Sequence, residues 1–271
     1  MNTRAISAII RKDLKVVSQN KGVVLPIIIA PLIMFVILPW LVVLAPSLVN
    51  VAGASANNAG ELINRMPAGM QSALSGLNIN QQVTVFFLVY MMAPFFLIIP
   101  LMVASTIAAD SFAGEKERKT MEALLYTPTT DRELFIAKLL SAWLAAITVA
   151  LAGFALYVIM ANAAAWSQMG HIFFPNAMWL VMVIWLVPAL PGLGLGVMVL
   201  LSSRAQGFQD AYQLGSLVVL PVMLLVIGQV SGAIYFNVTL VFLLGLVIWL
   251  LDGLLIWLGS RSFRRGRLLG A

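Results

Sequence analysis

Ten residues within a span of fifteen carry the chemistry most worth explaining: Gly114, Glu115, Glu117, Arg118, Thr120, Met121, Glu122, Leu124, Leu125 and Pro128. They belong to the stretch Asp110-Ser-Phe-Ala-Gly-Glu-Lys-Glu-Arg-Lys-Thr-Met-Glu-Ala-Leu-Leu-Tyr-Thr-Pro128. The chain is 62% apolar and 10% charged over its 271 residues, so so dense a cluster of charge stands out. The cluster has neither the histidines and cysteines of a metal site nor a nucleophile beside a base. Its pattern suits recognition. Glu115 and Lys119 stand at i,i+4 in the favoured order, and Met121, Leu124 and Leu125 form an apolar stripe at i, i+3, i+4. Charge at the start and an apolar stripe behind it is what a helix needs to seat itself on a partner.

Other candidates carry less. Asp252 is the one clear acid inside an apolar run, where an ionisable group is costly and faces the interior of a bundle. One reading makes it a proton or cation site, the other a neutral acid tying helices together. The lone His171 rules out a self-contained multi-histidine metal site, and the chain has no cysteine, hence no disulfide or thiolate chemistry. No Gly-x-x-x-x-Gly-Lys-Ser/Thr occurs, so no P-loop is present. Gly192-x-Gly194-x-Gly196 lies in an apolar run after Pro188 and Pro191, outside any βαβ setting. Gly192-x-x-x-Gly196 reads better as a close-packing helix surface. No catalytic constellation and no metal site are expected, and the methionines are read as packing residues.

These residues must be positioned by membrane-length helices. Six apolar runs, about 22–45, 83–109, 138–162, 176–201, 213–231 and 238–259, suffice to cross ~30 Å of hydrocarbon. The fold class is therefore an all-α polytopic membrane protein with one transmembrane domain over 22–259. The first run is too long for a signal-peptide core and is read as a retained span. With the N-terminus inside, fifteen of the 16 Lys and Arg fall on inner segments and only Arg65 outside. Both termini are thus expected in the cytoplasm. The net charge of +6 follows from this bias and does not imply nucleic acid. Trp40, Trp166 and Trp179 fall near outer ends and Trp143 and Trp257 near inner ends, as interfacial anchors do; Trp185 and Trp249 sit deeper as packing residues. Prolines 26, 31, 39, 94, 100, 188 and 191 predict bent spans whose freed carbonyls need partners.

Residues 1–21 form a separate element. Ile6, Ile9, Ile10, Leu14 and Val17 repeat at helical spacing, with Arg4, Arg11, Lys12 and Lys15 largely elsewhere on the wheel. This predicts a basic amphipathic helix on the inner membrane surface. Residues 46–82 form a polar outer loop, and 260–271 a basic cytoplasmic tail. Within the segment 110–137, a helix over 112–126 is expected to end at Thr127-Pro128. Thr130-x-x-Glu133 is a capping box that starts a helix continuing through Lys138 into the third run. Physics alone leaves the insert either a docking helix or a solvated loop.

The run Gly114-Glu-Lys-Glu-Arg-Lys-Thr-Met-Glu-Ala-Leu-Leu-Tyr-Thr-Pro128, followed by Arg132-Glu133 and Lys138-Leu139, resembles the permease subunits of type-2 ABC (ATP-binding-cassette) exporters of the sodium- and antibiotic-exporter kind. Ala137 replaces the glycine usual before Lys138. Residues 202–215 with the following Val-Val-Leu-Pro221, the six-span plan and the N-terminal helix are similar too. The resemblance implies a coupling helix at about 113–126 that docks on a separate cytoplasmic ATPase, present in two copies and holding the ATP and magnesium. It implies a connecting helix at 2–20 and a second permease chain, as homodimer or related heterodimer. The second and fifth spans would line the path. It further implies the plasma (inner) membrane of a prokaryote and no enzyme activity in this chain. The competing class is an ion-coupled secondary transporter using Asp252, against which the lack of an evident inverted repeat speaks.

Overall fold

The structure, a computed structural model, describes residues 3–51, 68–118, 130–202 and 207–262. No strand occurs among them. Among the described residues six helices are long and apolar enough to cross a membrane: Lys21–Leu44, Ile79–Ala109, Glu133–Met169, Ala177–Val199, Phe208–Val230 and Val238–Leu258, numbered here as the first to sixth spans. All six expected runs are present. Where boundaries moved, capping decided it. The second span starts ahead of residue 83 because Asn78 and Gln81 form a reciprocal capping box. The third belongs to one unbroken helix, Asp131–Met169, of 39 residues. It opens at the expected box, Thr130 with Glu133, and stops at Gly170, whose φ of 67° only glycine adopts readily.

The second span is the hub. It packs against the first, third, fourth and fifth spans, and 61% of its most apolar stretch is buried, against 17% for the sixth. The sixth leans on the fourth, where glycine permits it: a Cβ at Gly196 would lie 2.6 Å from the Cβ of Leu255. The close-packing reading of Gly192-x-x-x-Gly196 fits this.

The proline-rich spans pass through wide, π-helical segments at 33–37, 86–91 and 182–186, and in the second and fourth spans backbone carbonyls are met by side chains. In the second span the Met92 N–H bonds Phe87 O. In that register Pro94 would have served Val89 O and has no N–H to give. The indole of Trp179 donates to Val89 O at 2.7 Å, and Tyr157 donates to Leu88 O at 2.6 Å. At the break of the fourth span, Trp143 donates to Pro188 O at 2.9 Å. Trp179 is therefore not the outer-edge anchor expected of it. It is fully buried, stacked on Phe154 and packed against Phe96, Tyr157 and Phe174, because its N–H answers an orphan carbonyl in the core. His171 sits in an exposed loop, as expected.

The N-terminal helix, Thr3–Gln19, lies along the third-span helix. Ile6, Ile9 and Val17 are buried, while Arg4, Arg11 and Lys15 are exposed. Asp13 is buried among the apolar residues, which the wheel did not foresee. Of the outer loop, Ala68–Leu74 is helical; residues 52–67 and the tail 263–271 lie outside the described residues.

Candidate functional site

The charged insert begins as an extension of the second span. The helix runs from Met92–Ala109 through a wide turn at Asp110–Gly114 into Glu115–Glu117, and Arg118 N still bonds Gly114 O at 3.0 Å. A helix starting afresh at 112 was the expectation; the unbroken ladder from the membrane makes it one element with the span. Gly114, Glu115, Glu117 and Arg118 are in this part. Thr120, Met121, Glu122, Leu124, Leu125 and Pro128 lie outside the described residues.

Glu115 was expected to show its charge to a partner. It is 5% exposed instead. One carboxylate oxygen takes Lys138 Nζ at 2.6 Å and the other takes Lys12 Nζ. Lys138 is wholly buried and also donates to Ser111 O at 2.7 Å. Burial alone would raise the Glu115 pKa. The charges of Lys138 and Lys12, with their hydrogen bonds, outweigh it and hold the carboxyl below its ordinary value. Burial likewise lowers Lys12, but the hydrogen bond and charge of Glu115, with help from Asp13, raise it overall. Lys12 stands 3.2 Å from Asp13, and Ser141 Oγ is 3.4 Å from the other oxygen of that acid.

Two further ties surround this pair. Asp110 accepts from Arg118 at 3.0 Å and from Asn20 at 3.3 Å; Asn20 in turn caps the first span by accepting from Gly22 N. Glu117 reaches the fifth span. Its carboxylate accepts from Phe208 N at 2.9 Å, doing for that helix what its N-cap Gly207 has no side chain to do. A Cβ at position 207 would lie 2.7 Å from the same oxygen. The start of the insert thus grips the N-terminal helix, the third span and the fifth span at once. Sequence reasoning missed Lys12, Asp13, Asn20, Ser141 and Gly207 as members of this site, and gave Asp110 no role. The one available signal was Asp13, an acid on an apolar face.

Asp252 is the other sequence-selected acid. It lies 2% exposed between the fourth and sixth spans, and neither carboxyl oxygen has a hydrogen-bond partner among the described residues. Gly192 makes the room: a Cβ there would stand 2.3 Å from Asp252 Oδ2. A cavity of about 240 Å³ adjoins it.

The comparisons with known proteins agree with this architecture. Residues 7–250 match the family model described as ABC-2 family transporter protein. No curated protein and no solved structure matches the chain. Six membrane-length helices and a family match over nearly the whole sequence make this chain a member of the ABC-2 transporter family, a multi-pass membrane protein serving as the permease subunit of an ABC transporter.

Proposed function

We propose that the chain is the permease of an ATP-driven exporter, coupled through residues 113–126 to a separate ATPase subunit. The family supports partnership with an ABC ATPase in general. The observation that carries the finer reading is the grip of Glu115 and Glu117. A displacement of the insert is delivered through the Lys12–Glu115–Lys138 pairing to the N-terminal helix and third span, and through Glu117 to the fifth. Glu115, Glu117, Arg118 and Gly114 then serve as the inner side of the coupling element. Thr120, Met121, Glu122, Leu124, Leu125 and Pro128 supply its docking side. Two permease chains, identical or related, form the path with two ATPase copies, which hold the ATP and magnesium. The Lys and Arg asymmetry supports cytoplasmic termini, and the split-subunit plan supports a prokaryotic plasma membrane. Asp252 has no ionisable partner among the described residues, which leaves the ion-coupled alternative without a relay.

The test is Leu124→Asp. In a docking groove this buries an unpaired charge, at a cost of a few kcal/mol. Copurified ATPase is expected to fall steeply, or ATP hydrolysis in proteoliposomes to lose its dependence on the permease, while the membrane bundle still folds. Normal copurification with normal hydrolysis would leave the insert a solvated loop and the reading refuted.

A further inference from the structure

The cavity beside Asp252 is lined by Leu140 and Trp143 of the third span, Gly192 of the fourth, and Trp249, Asp252 and Ile256 of the sixth, among others. Its donors are already used. The Trp143 N–H is committed to Pro188 O at 2.9 Å and the Trp249 N–H to Trp185 O at 3.2 Å. Both indoles therefore offer the cavity their rings and not their N–H groups. The carboxyl of Asp252 is buried and receives no hydrogen bond from any described residue. Its depth is six residues short of the Leu258 end of the sixth span, roughly 9 Å along a helix. An apolar cleft with aromatic walls and a single acid lacking a donor is complementary to a protonated amine on a small apolar body. The ammonium is drawn toward the carboxylate, which lies just beneath the cleft wall against Gly192, and the indole faces add cation–π attraction. A volume of about 240 Å³ leaves room for a small body of about one ring.

We propose that the cleft between the third, fourth and sixth spans binds small apolar amines, with Asp252 as the anion and Trp143 and Trp249 as the walls. The inference stands apart from ATPase coupling and is tested on the full-length permease alone. The protein would be placed in nanodiscs of phosphatidylcholine and phosphatidylglycerol, which carry no primary-amine lipid. Tryptophan quenching would be titrated with three nitroxides of one shape, 4-amino-TEMPO, 4-hydroxy-TEMPO and 4-carboxy-TEMPO. Saturable quenching by the amine, at least tenfold tighter than by the other two, is expected. Asp252→Asn is expected to abolish that preference without changing the unfolding temperature, and joint Trp143→Phe and Trp249→Phe to remove most of the saturable signal. Equal quenching by all three probes, or an amine preference that survives Asp252→Asn, would overturn the proposal. So would saturable quenching that persists without the two tryptophans.

Discussion

Glu115 and Asp252 are both acids withdrawn from solvent, at 5% and 2% exposure, yet the chain treats them in opposite ways. Glu115, where the second span leaves the membrane, is shared by two lysines, one of them wholly buried. Asp252, within the sixth span, is given a glycine to lean on and no donor among the described residues. A buried ion pair is weak evidence for stability as such, because desolvation offsets much of the attraction. What the pairing supplies is geometry. Lys12 and Lys138 come from helices far apart in sequence, and the carboxylate ties both helices to the end of the second span. Asp252 makes no comparable tie among the described residues and keeps a buried carboxyl without a hydrogen-bond partner there.

The sharpest way to break this contrast is Lys138→Met. It takes the wholly buried cation away from the buried Glu115 carboxylate, and the expected loss is about 3–5 kcal/mol. This would be read as a large fall in unfolding temperature and yield. Adding Glu115→Gln is expected to recover a good part of it. A Lys138→Met protein as stable as the parent would show that the pairing has no structural weight.

The same junction predicts a pH window. The Glu115 pKa is depressed on folding, so its contribution is complete above the ordinary carboxylate value and lost as pH falls through the depressed one. The Lys12 pKa is raised, so its contribution is complete below the ordinary lysine value and lost as pH rises through the raised one. Protection of the N-terminal helix from hydrogen exchange, with intrinsic rates corrected for pH, is expected to hold level between those limits. A decline already at neutral pH would contradict the assignment.

Gly207→Ala is a milder probe. The backbone there is extended, with φ −164°, so alanine is conformationally acceptable. The objection is contact, since the new Cβ meets the Glu117 carboxylate at 2.7 Å. The carboxylate must swing away and uncap the fifth span, at about 1 kcal/mol. Under the coupling proposal, transport per ATP hydrolysed falls while ATPase copurification stays normal; a loss of copurification instead would place Glu117 on the docking side. Smallest of all is Asp252→Asn. With no hydrogen-bond partner to lose among the described residues, stability is expected to change by less than about 0.5 kcal/mol. A loss as large as that of Lys138→Met would mean that the two acids are not different after all.

What was legible in the sequence was local. Span lengths follow from apolar runs, and the box at Thr130 and Glu133 from a four-residue pattern, so both were readable. So was Asp252, conspicuous by its surroundings. The partners of Glu115 were not, because Lys12 and Lys138 lie 103 and 23 residues away, and neither the motif around Lys138 nor the acid beside Lys12 says which carboxylate it meets. The sequence offered Lys119 at i+4, a residue outside those described. Trp179 failed for a related reason. A tryptophan near the end of an apolar run looks the same whether it meets the interface or a carbonyl orphaned by Pro94 on another helix. The cavity at Asp252 was invisible because it is made by three spans and by the N–H commitments of two indoles.

The 39-residue helix Asp131–Met169 is roughly 58 Å long at 1.5 Å per residue, nearly twice the hydrocarbon thickness it crosses. It holds the rest of the molecule at stations along its length: Lys138 on Glu115, Trp143 on the break of the fourth span, Tyr157 on the bend of the second, and Asn162 on the backbone of Phe173 and Phe174 beyond the far end. Such a rod is a lever with its short arm at the charged junction. If it pivots there, a tilt of about 5° carries its far tip roughly 4 Å. The stations at Trp143 and Tyr157 move by intermediate amounts, so the two bent spans are pulled in proportion to their distance from the pivot.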